Sequence, residues 1–314
     1  MRRLFALAIK AAVSAGLLYL ALDFVNLATL RGRLGDIKPL WIAAGLLVIL
    51  IQLALTSLRW QRIALTSGAP LTAPRALLYM LIGMFFNQTL PSTVGGDAAR
   101  VWLLARHNSG LKPALYSVLI DRGVGLLWLA LIVLACLPWS LTFISNPVGR
   151  IALIAIGSAS IAGVIGLFAI DRIARLLMRW RLTRHLAEAA SLAWTVLVSP
   201  KVGLSIAALS IVGHGLTVLT AWCAARAVGS PLELVQALLL ILPVVLIASV
   251  PISIAGWGVR EGVMVAAFAY AGLPQSDGLL VSLIFGAESF AIGVIGGLAW
   301  IASGERIKPE TAPA

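Results

Sequence analysis

The chain has 314 residues, of which 61% are hydrophobic and only 11% are charged, and its mean hydropathy is +1.01. A soluble domain carries roughly a quarter charged residues, so the composition excludes a soluble protein and predicts one all-α, polytopic membrane domain over residues 1–314. The net charge of +12 comes from scattered basic residues with few aromatic neighbours, which argues against nucleic-acid partners and favours a topological role and anionic lipids at the cytoplasmic face.

Apolar runs of spanning length recur along the chain. They lie at about 4–22, 40–58, 114–137, 150–170, 202–222 and 279–302. The first run begins with Arg2 and Arg3 like a signal peptide, but Lys10 interrupts it and no clear cleavage site follows. We therefore expect an uncleaved first transmembrane helix.

Two further apolar regions, 76–106 and 234–272, are each divided by a polar Pro/Gly break. The breaks read PSTVGGDAAR and PISIAGWGVR, and both fit P-x4-G-x3-R, which pairs Pro91 with Pro251, Gly96 with Gly256 and Arg100 with Arg260. Interrupted helices at matching positions in two halves indicate a transporter-type site. The sequence thus predicts two broken, re-entrant helical hairpins in repeat-like halves at about 40–137 and 202–302.

The distribution of basic residues orients these halves. With a cytoplasmic N-terminus, and with each break entering and leaving on one side, the basic segments 59–75, 107–113 and 171–201 and the C-terminus all lie inside. This interpretation assigns Arg59 to a cytoplasmic loop and makes the halves an inverted repeat. If both breaks spanned the membrane instead, Lys112 would lie outside.

Residues 171–198 form a predicted amphipathic linker helix. Arg172, Arg175 and Arg179 share one face, which suits anionic head groups at the inner surface. A solvated basic linker is the alternative interpretation.

The first break has the chemistry of an anion site. Pro91 removes a backbone donor, while Gly95 and Gly96 allow a tight turn and a close backbone approach. A new helix can then begin near Gly96, and its free N–H groups favour an anion. Asp97 falls in its first turn and Arg100 one turn later.

Two arginines at membrane depth need partners. Either acidic side chains neutralise them, or a ligand phosphate does. The candidate binding residues are Asn87, Gly95, Gly96, Asp97, Arg100, Asp121, Arg122, Arg260, Glu261 and Glu288. Structural alternatives remain for several of them: Asp97 as a helix cap, fixed Arg100–Asp121 and Arg260–Glu288 pairs, a local Asp121–Arg122 pair, and Asn87 bonding freed backbone groups.

Motifs for nucleotide, metal or nucleophile chemistry do not occur. The sequence has no G-x-x-x-x-G-K-[ST], no H-E-x-x-H and no G-x-S-x-G. Cys136 and Cys223 are expected to be inert, and His214 is expected to be a hydrogen-bonded bundle residue. We therefore expect no cofactor, no metal and no catalytic residue.

The stretches NQTLPSTVGGDAARVWLLAR, DRGVG and SIAGWGVREG resemble the lysylphosphatidylglycerol synthase transmembrane region family, a flippase-like family, over nearly the whole chain. The resemblance implies a multi-pass protein of the bacterial inner membrane that moves a phospholipid, or a lipid-linked head group, between leaflets. Bifunctional members add a cytosolic domain that attaches lysine to phosphatidylglycerol. The chain ends at Ala314 without room for it, so lipid aminoacylation is not expected.

The prediction is therefore a lipid flippase that binds an anionic head group at its interrupted helices, with both termini cytoplasmic. A small-solute or ion transporter, and a membrane-embedded transferase or assembly partner for lipid-linked sugars, are the alternatives.

Overall fold

The computed structural model describes residues 35, 37–89, 94–176, 181–250 and 257–304, and this part of the chain is helical without a strand. In chain order the helices are α1 (Pro39–Thr66), α2 (Ala73–Thr89), α3 (Gly95–Leu104), α4 (Leu111–Phe143), α5 (Pro147–Leu176), α6 (Arg181–Val198), α7 (Pro200–Ala227), α8 (Leu234–Ala248), α9 (Val259–Tyr270) and α10 (Gln275–Ser303). A π-helical turn, Ala105–Ser109, joins α3 to α4. The predicted first span at 4–22, the prolines of both breaks and the C-terminal residues lie outside the described residues.

Five of the described helices are long and apolar enough to cross a membrane. They are α1, α4, α5 over Pro147–Gly166, α7 and α10. These helices contain the runs predicted at 40–58, 114–137, 150–170, 202–222 and 279–302, so the prediction of a polytopic helical membrane protein is confirmed. Large apolar side chains on α5, including Ile151, Ile154 and Ile165, are exposed, as expected for a helix that faces lipid.

Each predicted broken region forms a pair of short helices. Helices α2 and α3 have 17 and 10 residues, and α8 and α9 have 15 and 12. At a rise of about 1.5 Å per residue, none reaches the roughly 30 Å of the hydrocarbon core. Helix α3 folds back along α2, because a Cβ atom at Gly83 would lie 3.2 Å from the carbonyl oxygen of Gly96 and 3.3 Å from Cγ of Arg100.

The first long helices of the two halves, α1 and α7, pack against each other in opposite directions. The backbone N–H of Lys38 donates to the carbonyl of Ala227 at 2.9 Å. Further along, Gln52 Nε2 donates to Thr217 Oγ1 at 2.6 Å and Arg59 Nη1 donates to Ser210 Oγ at 3.3 Å. Residue numbers rise along α1 as they fall along α7, so the two helices are antiparallel.

The packing partners of the other helices correspond between the halves. Helix α2 packs on α10, and its counterpart α8 packs on α4; likewise α3 packs on α4, and α9 packs on α10. Each half therefore has the same order of long, short, short and long helices. In both halves the first short helix packs on the last helix of the other half, and the second short helix packs on the last helix of its own half.

A buried apolar cluster fixes the entry and exit of the α2–α3 hairpin. It joins the end of α1, the start of α2, the end of α3 and the start of α4 through Ala64, Ala76, Leu104 and Ala114. All four ends consequently meet at one end of the bundle, which positions the N-terminus of α3 inside it.

The predicted linker helix at 171–198 is described in two parts, the end of α5 and all of α6. The side chains of its basic face, Arg172, Arg175 and Arg179, lie outside the described part. Glu188 of α6 accepts from Lys112 Nζ at 2.6 Å and from the Tyr116 hydroxyl at 2.8 Å, which attaches α6 to α4.

Candidate functional site

Helices α1, α3 and α4 bring three arginines and two aspartates together in the interior. Arg59 comes from α1, Asp97 and Arg100 from α3, and Asp121 and Arg122 from α4. All of these except Arg122 are buried. Charged side chains are rare within spanning segments and, when present, mark substrate or ion pathways by default.

Arg100 is at the centre of this charge cluster. Its Nη2 donates to Asp121 Oδ2 at 2.8 Å and its Nη1 to Asp97 Oδ1 at 3.2 Å. Its guanidinium carbon lies 4.1 Å from the ring centroid of Trp60. The buried Nε of Arg100 has no acceptor among the described residues. The cluster thus retains one buried donor that the described side chains and backbone groups leave unused.

Each of the other two arginines binds one of these two carboxylates. Arg59 Nε donates to Asp121 Oδ1 at 2.9 Å, and Arg122 Nε donates to Asp97 Oδ2 at 2.5 Å. Asp121 therefore bridges Arg59 and Arg100, and Asp97 bridges Arg100 and Arg122. The side chain of Arg122 is 49% exposed, so it forms the open edge of the cluster.

A cavity of about 300 Å³ opens onto this cluster. Its wall contains all five charged side chains, and its other lining residues include Asn87, Gln52, Thr56, Phe285 and Ser289. Three guanidinium groups and two carboxylates give the described wall a net charge of +1 (3 − 2). The site can consequently accept one negative charge.

Local sequence explains how α3 presents its charges. The close approach of α3 to α2 requires glycine, because a Cβ atom at Gly96 would clash with the carbonyl oxygen of Gly83 and with Asn87. Asn87 Oδ1 accepts from the backbone N–H of Gly96 at 2.7 Å, which satisfies one free donor of the helix start. Gly95 begins the helix, and the spacing of Asp97 and Arg100 puts both on one face.

The second half contains a smaller ion pair. Arg260 Nη2 donates to Glu261 Oε1 at 2.6 Å, and Arg260 Nε donates to Ser282 Oγ at 3.0 Å. Glu261 Oε2 accepts from the backbone N–H of Gly258 at 2.6 Å, where α9 begins. Neither Arg260 nor Glu261 lines the cavity. Phe285 does line it, and the centroid of its ring lies 5.7 Å from the guanidinium of Arg260.

Glu288 lies apart from both clusters. It is 2% exposed in α10, and neither carboxylate oxygen has a hydrogen-bond partner among the described residues. A Cβ atom at Gly45 of α1 would clash with this carboxyl group. The sequence-based pairing of Arg260 with Glu288 is therefore wrong, because Arg260 bonds its own neighbour Glu261.

Several structural interpretations are resolved. The predicted Arg100–Asp121 pair is confirmed, as is the role of Asn87 in bonding a backbone group. Asp97 does not cap α3; its carboxylate bonds arginines instead. Asp121 and Arg122 do not pair with each other, since they bond different partners. His214 Nε2 lies 3.0 Å from the carbonyl oxygen of Gly125, as expected for a bundle residue.

Arg59 is a site residue that the sequence pattern did not predict. Because the apolar run ends at about 58, the pattern places Arg59 in a cytoplasmic loop, but α1 continues to Thr66 and buries Arg59 against Asp121. A signal was present: Gln52, Thr56 and Arg59 follow one another at spacings of four and three, which places three polar groups on one helix face.

In the described part of the chain, no group of three or more His, Cys, Asp or Glu side chains lies together in a way that could hold a metal ion. The charge cluster is instead rich in guanidinium groups, which bind anions.

The fold and this cavity define a multi-pass helical membrane protein with an internal charged site. The chain belongs to the lysylphosphatidylglycerol synthase TM region family, whose sequence profile matches residues 7–297. The family places it among membrane proteins of lipid metabolism or transport. No curated protein and no solved structure shows a significant match to the chain.

Proposed function

We propose that this protein is a lipid flippase of the bacterial inner membrane, which binds the phosphate of an anionic lipid head group in the cavity between α1, α2, α3, α4 and α10. The observation that carries the proposal is the charge cluster around Arg100. It has a net charge of +1 and a buried guanidinium donor without an acceptor among the described residues.

Phosphate chemistry suits this cluster. Guanidinium groups bind phosphate oxygens in planar, charge-assisted hydrogen bonds, and a diester phosphate carries the single negative charge that the wall lacks. Asp97 and Asp121 hold the arginines in place. Because these two carboxylates already neutralise two of the three cations, the cluster is stable when empty and can release its ligand.

The size of the cavity favours a head group over a whole lipid. A volume of about 300 Å³ is at the lower end of the range for small-molecule sites. It can hold a phosphate and its polar substituent, while the acyl chains stay in the bilayer. Head-group transfer of this kind avoids dehydrating a charge in hydrocarbon.

The arrangement of the halves supports alternating access. We propose that they form an inverted repeat, with two re-entrant hairpins that enter from opposite sides and with both termini cytoplasmic. The antiparallel packing of α1 and α7, and the corresponding helix pairs of the two halves, favour this relationship. Repeats so related can expose a central site to each leaflet in turn.

Arg122→Gln tests the binding site, because Arg122 is half-exposed and its loss leaves the buried Arg59, Arg100 and Asp121 contacts intact. We expect it to weaken binding of a short-chain phosphatidylglycerol at least about tenfold, as the loss of a charge-assisted hydrogen bond of about 1.5–3 kcal/mol predicts. Arg62→Gln, an exposed arginine of α1 outside the cavity, is the matched control. Calorimetry measures binding, and proteoliposomes with a labelled lipid measure translocation. Equal affinity of the two variants contradicts the proposal.

A transporter of small anions is the second candidate, and the modest cavity volume favours it. Inorganic phosphate and the short-chain lipid share the same chemistry, so both are used as probes. Uptake of inorganic phosphate into proteoliposomes without any lipid translocation would assign this second function.

A further inference from the structure

Glu288 is a buried carboxyl group to which the proposed lipid site gives no role. It lies in the middle of α10, the last spanning helix, and both of its oxygens lack a hydrogen-bond partner in the described part of the chain. An ionised carboxylate in apolar surroundings without a compensating charge is strongly disfavoured, whereas the neutral acid is tolerated. The surroundings of Glu288 therefore suit a carboxyl group that carries a proton.

Gly45 provides the space for this group. A Cβ atom at that position would clash with Oε1 and crowd the rest of the carboxyl, so any other residue there would displace it. The carboxyl group thus lies directly against the backbone of α1, at a contact between two spanning helices. A change in its charge acts on that contact.

The charged and titratable groups of the neighbouring helices do not neutralise Glu288. Helix α10 packs against α1, α2, α7 and α9. From α7, the thiol of Cys223 is near enough to interact electrostatically, and it carries no positive charge. On α9, Arg260 and Glu261 neutralise each other. On α1, Arg59 binds Asp121, and its Cα lies about 21 Å along the helix from Gly45, at about 1.5 Å per residue.

Arg226 of α7 lies three residues beyond Cys223, but it is exposed and its guanidinium lies 5.9 Å and 5.8 Å from the ring centroids of Trp41 and Trp222. Further groups near α10 are neutral amides or are already engaged. Helix α2 presents Asn87 and Gln88 near α10, and neither amide ionises. His214 of α7 bonds the carbonyl of Gly125. A metal cation would find no cluster of ligands among the described residues. The geometry consequently favours a proton over a metal ion as the ligand of Glu288.

Glu288 is also next to the lipid site. Its neighbour Ser289 and Phe285, one turn earlier, both line the cavity. On α1, Gly45 shares a helix face with Ile49, Gln52, Thr56 and Arg59, and the last four line the cavity. Release of a proton would place a negative charge at one end of this face, while the guanidinium cluster occupies the other end.

We propose that Glu288 is a proton-binding site that couples lipid movement to the transmembrane proton gradient. The neutral acid lets α10 pack on Gly45. The carboxylate instead draws water to this contact and loosens the packing of α10 on α1. The coupling rests on the proposed flippase function. The proton site does not, because it is inferred only from the burial of the carboxyl group and its lack of a described hydrogen-bond partner.

Infrared difference spectroscopy of the purified protein in nanodiscs tests the proton site. We expect the wild type to show the carbonyl band of a protonated carboxylic acid at neutral pH, and to lose that band as the pH is raised. Glu288→Gln should remove the band, and Glu233→Gln, which changes an exposed glutamate at the start of α8, should keep it. Absence of the band from the wild type overturns the proposal even if the Glu288 variant does not fold.

Proteoliposomes test the coupling. An imposed pH gradient should accelerate lipid translocation by the wild type and by Glu233→Gln, and the ratio of rates with and without the gradient should fall to unity in Glu288→Gln. Binding of the short-chain phosphatidylglycerol should stay unchanged in that variant. A full response to the gradient in Glu288→Gln overturns the coupling, whereas failure of lipid binding in the wild type overturns the flippase proposal and leaves the infrared result standing.

Discussion

The two halves of the molecule place an arginine at the same point and neutralise it in different ways. Arg100 reaches forward to Asp121 of the next long helix, and Arg260 reaches forward to Ser282 in the same manner. Four residues after each of these partners comes a glycine, Gly125 or Gly286, and each faces a guanidinium group. The first half thus has a carboxylate where the second half has a hydroxyl.

This difference separates the proposed binding site from a local ion pair. Asp121 carries a full charge and has two oxygens, so it holds Arg59 as well as Arg100 and extends the cluster over three helices. Ser282 cannot do so, and the charge of Arg260 is neutralised within α9 by Glu261. The cluster of the first half therefore has an excess of one positive charge, whereas the ion pair of the second half is neutral.

The largest expected loss of stability comes from replacing Asp121, the partner of Arg100 in the first half. Asp121→Ala leaves the buried Arg59 without a carboxylate and leaves Arg100 with Asp97 alone, and breaking a buried ion pair costs about 3–5 kcal/mol. Ser282→Ala removes a hydroxyl only, which costs about 1 kcal/mol. Thermal unfolding of the purified variants, or unfolding in a denaturing detergent, measures both losses.

The comparison between the halves fails if Ser282→Ala destabilises the protein as strongly as Asp121→Ala. Asp121→Asn serves as the control for shape, since it keeps the size of the side chain and removes only its charge. We expect it to resemble Asp121→Ala.

The α2–α3 hairpin gives the next largest effect. Gly96→Ala inserts a methyl group against the backbone of Gly83, so the two helices must separate, at a cost of about 1–3 kcal/mol. A methyl group at Gly262, early in the matching helix α9, would meet no atom of the described residues within 4 Å, and Gly262→Ala should gain about 0.5–1 kcal/mol. Unfolding measurements compare the two; destabilisation of both, or of neither, contradicts the predicted difference in packing.

The sequence was sufficient to predict the helical class, five described spans and both interrupted regions. Apolar runs of membrane length mark the spans, and Pro and Gly within an apolar region mark the breaks. The ends of the spans were less predictable. Helix α1 continues past its apolar run because Arg59 finds a carboxylate on α4, and a partner 62 residues away in the chain leaves no local signal.

The sequence predicted many of the residues of the candidate site, but it did not predict which of them lie together. Asn87, Asp97, Arg100, Asp121 and Arg122 all line one cavity. Arg260 and Glu261 were expected to share that pocket, and the structure places them in a pair of their own, outside its lining. Matching motifs indicate equivalent positions in two halves, but they do not specify which half carries an excess of positive charge.

The two glycines that face guanidinium groups give the smallest expected effect. A Cβ atom at Gly286 would clash with Arg260 Nη2 and would lie 2.8 Å from the ring of Trp257, so Gly286→Ala should displace Arg260 and cost about 1 kcal/mol, the value of one hydrogen bond. A Cβ atom at Gly125 would lie 3.3 Å from Arg59 Nη2, so Gly125→Ala requires a shift of a few tenths of an ångström and should stay within about 0.5 kcal/mol of the wild type. Unfolding measurements rank the two variants. We expect Gly286→Ala to be the less stable variant, because the added methyl group has less space there than at Gly125. If Gly125→Ala were the less stable variant, the cluster around Arg100 would be the more tightly packed of the two.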